Sequence, residues 1–179
     1  HLDLTAAVFQ ITRDGVPISL GRGVAGTGEQ EQEVTGVEFG IAGNITENWS
    51  LFGGLTLFET EVTDSTIASQ IGEMFPNVSE ESFTLTSRYQ ITDRLHLGGT
   101  AGYNSEKFGG TAAAGSTFVP DYWRVDFFGG YQLTDTMEVT FNVLNATDEL
   151  YYDALYRSGT PFSYVAPGRS ALVTLDIDF

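Results

Sequence analysis

Apolar residues recur at every second position through most of this chain, and the recurrence keeps one phase. Over 37–45 the odd positions are Val37, Phe39, Ile41, Gly43 and Ile45, with Glu38, Gly40, Ala42 and Asn44 between them. The same phase runs through Trp49–Leu57, Phe83–Ile91, Leu95–Tyr103, Trp123–Leu133, Met137–Val143 and the closing stretch "SALVTLDIDF". A two-residue period sends alternate side chains to opposite faces of an extended strand. These segments therefore predict seven strands with their apolar face on odd numbers. An eighth, at about 2–12, is ambiguous in phase, because Leu2, Leu4 and Val8 compete with Phe9 and Ile11.

The connections alternate in length. "ITENW" (45–49), "ITDRL" (91–95) and "LTDTM" (133–137) are three versions of one tight polar turn, a weak repeat of a hairpin unit of roughly 45 residues. Long connections are expected over about 13–33, 61–80, 106–119 and 147–167. Short turns at one end and long loops at the other are the arrangement of outer-membrane barrels, whose periplasmic turns are short and extracellular loops long. The prolines agree, since all five (Pro17, Pro76, Pro120, Pro161, Pro167) fall in expected loops or at strand starts, where no ladder donor is lost. Arg88 and Arg124, the arginines well inside strands, are both even-numbered. An Arg facing lipid at mid-bilayer costs roughly 2–4 kcal/mol. The even face also carries Glu38, Asn44, Thr84, Thr86, His96, Thr100, Asp126, Glu138, Thr140 and Asn142, which suits a wet interior. Aromatics gather towards strand ends, with Trp49, Tyr89, Tyr131 and Phe179 near the short turns and Tyr103 and Trp123 near the long loops. A lipocalin-like soluble barrel would invert the faces; the loop asymmetry favours lipid outside. The expected fold is all-β, an antiparallel transmembrane β-barrel of about eight meander strands, with the whole of 1–179 one barrel domain or barrel segment.

Composition narrows the function classes. With 24 acidic against 8 basic residues the net charge is −16, which argues against nucleic acid, because phosphates need a positive footprint. Cysteine is absent, so disulfides and thiolate metal sites are excluded. No apolar run is long enough for a transmembrane helix, and no signal peptide is visible. "GRGVAG" (21–26) matches a glycine-rich nucleotide motif literally, but no helix pattern follows, and a plain loop is expected. Four N-x-S/T triplets, at Asn44, Asn48, Asn77 and Asn145, fall mostly at strand ends and turns, where Asn serves the backbone. His96 is the sole internal histidine, so no metal site, cofactor or catalytic residue is assigned; His96 with Asp126 is the one His–Asp pair the interior could assemble. The last long connection holds Tyr151, Tyr152, Tyr156 and Tyr164 with Arg157 and Arg169. Aromatic and guanidinium groups at a barrel mouth could grip a planar or anionic ligand, or simply pack the loop on the rim. The candidate ligand-binding set is Arg88, Arg124, Tyr151, Tyr152, Tyr156, Arg157 and Tyr164.

"FNVLNATDELYYDALYRSGTPFSYVAPGRSALVTLDIDF" (141–179) resembles the C-terminal end of TonB-dependent outer-membrane receptors, especially ferric-siderophore receptors. The matching residues are Asn142, Asn145 and Asp148, the pair Tyr151–Tyr152, Pro167–Gly168–Arg169, and Phe179. "LTAAVFQITRD" (4–14), "GVEFGIAGNITENWSLFGGLT" (36–56) and "VPDYWRVDFFGGYQLTD" (119–135) resemble barrel strands of that family, so the likeness spans essentially the whole chain. The resemblance implies a Gram-negative outer membrane and uptake of iron–siderophore complexes energised through TonB. It also implies contact with outer-membrane lipid and lipopolysaccharide, and a terminal aromatic, Phe179, read by the barrel-assembly machinery. From charge alone, divalent cations are expected to bridge the acidic long loops to lipopolysaccharide. Such receptors carry a plug, a TonB box and a barrel of about 22 strands. The 179 residues have room for about eight strands and no plug, so TonB and a ferric siderophore are partners only within a full-length receptor. The alternative is a stand-alone eight-stranded barrel with a structural or adhesive role, its interior packed around Gly40, Gly54, Gly98, Gly102 and Gly130.

Overall fold

A computed structural model describes residues 1–19, 27–112, 115–156 and 162–178. Twelve strands appear in chain order: β1 (Leu2–Ser19), β2 (Thr27–Thr46), β3 (Trp49–Ser65), β4 (Glu81–Thr92), β5 (Leu95–Asn104), β6 (Lys107–Ala112), β7 (Gly115–Val119), β8 (Tyr122–Thr134), β9 (Met137–Leu144), β10 (Tyr152–Tyr156), β11 (Phe162–Val165) and β12 (Ser170–Ile177). Eight of them form one antiparallel meander in the order β1-β2-β3-β4-β5-β8-β9-β12. The pairs β6–β7 and β10–β11 are separate hairpins inserted in the long connections. Among the described residues β1 pairs with β2 alone and β12 with β9 alone, so the meander is an open arc with two free edges.

The register explains the phase of the sequence. Directly opposed residues share a face, and one outer row runs Ala6, Phe39, Leu55, Phe83, Tyr103, Trp123. A second joins Leu97, Gly129, Phe141 and Val173. Odd residues thus share the outer face on the seven strands from β2 to β12. On β1 the pairing Leu4–Ile41 and Val8–Val37 puts the even residues outside. That resolves the ambiguous first segment in favour of Leu2, Leu4 and Val8; Leu4 is 72% and Val8 82% exposed, as residues turned to lipid must be.

The three short turns share one hydrogen-bonded form. Thr46, Thr92 and Thr134 each accept, at Oγ1, the amide two residues on, at 3.3 Å in every case. Each turn is completed by the next hairpin: Gln90 N donates to Asn48 O, Gln132 N to Arg94 O, and Asp178 N to Thr136 O.

All four expected long connections contain strand: β3 runs on to Ser65, the hairpins β6–β7 and β10–β11 fill parts of 106–119 and 147–167, and the first changes most. Residues 13–19 and 27–33, expected as a connection, continue the β1–β2 ladder, interrupted by an irregularity between Arg13 and Val16. At 20 residues β2 spans about 66 Å, whereas about 9–11 tilted residues cross a bilayer. The outer apolar stripe ends at the row Val8–Val37–Leu57; the next outward row is Gln10–Thr35–Glu59. Beyond that row the ladder stands in water. The buried hydrophobic residues (Val62, Phe108, Val119, Tyr151 and Ala166) all lie at this long-loop end. The packed core of the described residues is therefore a layer of loops and hairpins, while the sheet below is one layer thick.

Candidate functional site

The inner wall of β8 meets the loop layer at Arg124. Arg124 and Asp126 are two apart on one strand and so share its inner face. Their side chains form a planar fork, with Arg124 Nε donating to Asp126 Oδ1 at 2.9 Å and Nη2 to Oδ2 at 2.8 Å. Bidentate guanidinium–carboxylate pairing fixes orientation as well as distance. The third nitrogen, Nη1, reaches the Tyr151 hydroxyl at 3.4 Å. The Tyr151 ring stacks on Tyr122 with centroids 4.4 Å apart, and Asn104 Nδ2 donates to the Tyr122 hydroxyl at 3.2 Å. Tyr151 is 5% exposed. Arg124 and Tyr151, two of the candidate ligand residues, are thus held by wall partners.

Asp126 also reaches the next strand, accepting the Asn145 amide at 2.8 Å. Asn145 is 2% exposed and takes a positive φ of 49°. Its Nδ2 donates to Glu149 O at 2.9 Å and Pro167 O at 3.4 Å, and its Oδ1 accepts the Glu149 amide at 2.9 Å. Asp148, at φ 58°, accepts the Arg169 amide at 2.8 Å, and Arg169 Nη1 donates to Ala146 O at 3.3 Å. The N-x-x-N-x-x-D and P-G-R segments are therefore the two halves of a clasp that ties the end of β9 to the start of β12. Asn tolerates the left-handed conformation and can replace backbone partners with its amide, which is what an irregular, buried chain reversal needs. A buried Asn145 has no access to a glycosylating enzyme.

The remaining candidates lie apart. Tyr156 stacks on Phe162 at 4.9 Å, and Phe162 meets Tyr164 edge-on at 5.6 Å, forming a second aromatic group on β10–β11. Tyr156 and Tyr164 are both more than half exposed. Tyr152 opens β10 opposite Val165. Arg88 sits on the inner face towards the opposite, short-turn end, donating to Gln90 Oε1 at 2.9 Å. Arg157, Phe179 and the "GRGVAG" segment lie outside the described residues. His96 is opposite Gly130 and Asp126 opposite Thr100, four residues apart along the strand, or about 13 Å. The one His–Asp pair available to an interior hydrolase is not assembled.

Three contributors carry little signal in the sequence: Tyr122 precedes the alternation that starts at Trp123, and Asn145 and Asp148 are marked by a spacing that does not show the clasp. Their positive φ values, typical of Asn and Asp in tight reversals, are the signal that spacing carried.

Known proteins share this architecture. The family model for the TonB dependent receptor-like β-barrel matches residues 1–146. The chain is 31% identical over 188 residues to the probable TonB-dependent receptor BfrD of Bordetella pertussis, covering all of this chain and 25% of that protein. It is 32% identical over 184 residues to the catecholate siderophore receptor Fiu of Escherichia coli K12, covering all of this chain and 24% of that one. The closed-form crystal structure of Fiu superposes with a TM-score of 0.85 at 29% identity over 99% of this chain and 25% of Fiu. The ferripyoverdine receptor of Pseudomonas aeruginosa shares the fold, with a TM-score of 0.83 at 19% identity over 99% of this chain and 25% of that one. The chain spans about a quarter of the length of these relatives. With its alternating strands, its one-ended loops and a family match over most of its length, the chain belongs to the TonB-dependent receptor β-barrel family.

Proposed function

We propose that this chain is a wall segment of an outer-membrane receptor that imports iron–siderophore complexes with energy supplied through TonB. The observation that carries the reading is the outer apolar face shared by eight paired strands, which on β1–β3 ends at one row beneath the long connections. The relatives' roles as siderophore receptors supply the cargo class, and ferric catecholates are the first to test. Within that reading the exposed rings of Tyr156 and Tyr164, together with Tyr152 and the sequence candidate Arg157, are assigned to ligand contact. Arg124 and Tyr151 shape the wall that supports them, and Arg88 serves the lower interior. The outer stripe meets lipid, and the acidic loop end meets the lipopolysaccharide headgroups through divalent cations.

The complete receptor gene, placed in a strain lacking its own catecholate receptors, is expected to restore uptake of radiolabelled iron supplied as a catecholate complex. Uptake is expected to vanish when TonB is deleted. A receptor that assembles in the outer membrane yet moves none of a panel of ferric siderophores would overturn the proposal.

A further inference from the structure

Alternation decides which face of a strand meets lipid, yet it leaves the register half open. A slip of one residue turns a strand inside out, whereas a slip of two keeps every side chain on its own face. For β2–β3, β4–β5 and β8–β9 the short threonine turn fixes the register by its length. β9 and β12 are joined by residues 145–169 instead. Two residues more or less in so long a connection change its closure entropy very little.

The pairs along β12 do not settle the register either. Ala171, Val173, Leu175 and Ile177 oppose Val143, Phe141, Val139 and Met137. Moved two residues towards the short turns, Ala171, Val173 and Leu175 would oppose Phe141, Val139 and Met137, an equally apolar set. On the inner face the observed register places Asp176 directly opposite Glu138, and like charges so placed repel. The same slip would set Thr174 against Glu138 and bring Asp176 level with Thr136; the opposite slip would set Asp178 against Glu138. The charges of the ladder therefore favour one particular slip, and the strand does not take it.

The bonds that oppose it lie in the clasp. Asn145 Nδ2 donates to Pro167 O at 3.4 Å, the Arg169 amide to Asp148 Oδ1 at 2.8 Å, and Arg169 Nη1 to Ala146 O at 3.3 Å. Behind them the Ala166 amide donates to Tyr151 O at 2.9 Å. Asn145 follows the last residue of β9 and Arg169 precedes the first of β12, so these bonds fix the pair Leu144–Ser170. A two-residue slip would carry Pro167 and Arg169 about 7 Å along the strand, out of reach of their partners. Ladder bonds between backbones re-form in either register; the clasp bonds form in one.

We infer that the clasp of Asn145, Asp148 and Arg169 sets the register of β12 on β9, holding it against a two-residue slip that the alternation permits and the Asp176–Glu138 opposition favours. These are positioning residues: they act on the wall through the strand they place. The inference goes beyond the receptor reading and takes from it only the lipid on the outer face.

The test is disulfide trapping in the complete receptor, purified from outer membranes and free of other cysteines. Val139→Cys with Leu175→Cys reports the observed register, and Val139→Cys with Val173→Cys the slipped one. Directly opposed residues are within disulfide reach, whereas diagonal neighbours, about 7–8 Å apart, are not. With the clasp intact, only the first pair should cross-link on oxidation. Asp148→Gly keeps the left-handed backbone and loses the carboxylate. It should raise the ratio of slipped to observed cross-link about tenfold, and Asn145→Ala should raise it further. Asp148→Asn, which keeps an oxygen acceptor, should stay within about twofold of wild type. Adding Asp176→Asn to Asp148→Gly should bring the ratio back towards wild type, because the slip then relieves no repulsion. Four results would each overturn the inference: Asp148→Gly cross-linking the observed pair alone, Asp148→Asn slipping as far as Asp148→Gly, a slip undiminished by Asp176→Asn, or a failure of Asp148→Gly to assemble that Asp176→Asn does not repair. Cross-linking reads no transport, so a receptor that fails the uptake test can still pass this one.

Discussion

Asn145 illustrates how one side chain can stand in for regular structure. It sits where β9 ends and the chain must reverse, with its backbone groups withdrawn from both ladder and water. Its carboxamide answers by pairing with Glu149 and Pro167, and its amide by reaching Asp126. A buried residue with such obligations is costly to replace. Asn145→Ala deletes three side-chain hydrogen bonds and leaves a Cβ residue without them at a positive φ. It is expected to lower stability by about 3 kcal/mol, read as a shift in the denaturant midpoint of the complete receptor. Asn145→Asp, which keeps one acceptor, should lose less. Asp126 is coupled to this position through a shared oxygen, so the double variant Asp126→Ala/Asn145→Ala should lose less than the sum of the two single changes.

At the scale of elements, the turn threonines and the glycine–aromatic pairs do the equivalent work. Thr92 Oγ1 accepts the amides of both Arg94 and Leu95, at 3.3 and 3.1 Å. Thr92→Ala should cost about 1 kcal/mol, measured the same way, while Thr92→Ser should be nearly neutral. Gly98, Gly99 and Gly129 each lie directly opposite a phenylalanine (Phe128, Phe127 and Phe141) whose ring folds over the bare backbone. These strands, their shared phase and their turns were legible in the sequence, because lipid outside and water inside enforce alternation at every residue. The upper halves of β1, β2 and β3 were not. Once a ladder rises out of the bilayer both its faces are wet, alternation lapses, and "EQEQE" reads as a loop although it pairs as strand. The site was legible only in part for a related reason. The motif spacing marks Asn145 and Asp148 as special, but the bonds that join Asn77 to Phe108 O and to the Leu155 amide arise only when three distant connections meet.

For the molecule as a whole, the decisive fact is that the arc has two edges. Among the described residues, β1 offers an unpaired edge over much of its 18 residues and β12 over its 8. Free edges recruit other strands. The 179-residue chain expressed alone is therefore expected to aggregate or to form mixed oligomers in detergent, whereas the complete receptor should run as a heat-modifiable monomer. A monodisperse, heat-modifiable eight-stranded species would support the stand-alone barrel instead. The way each short turn borrows its last hydrogen bond from the strand beyond the next loop carries a further consequence. Thr46–Trp49 is finished by Gln90, Thr92–Leu95 by Gln132, and Thr134–Met137 by Asp178. The joint between neighbouring hairpins has the same form each time, so the hairpin is the natural currency of inheritance in this wall. Copying or deleting one adds or removes two strands, preserves which face meets lipid, and presents the next hairpin with a seam it already fits. Barrels of different girth can then descend from one another by whole hairpins, without any strand having to turn inside out.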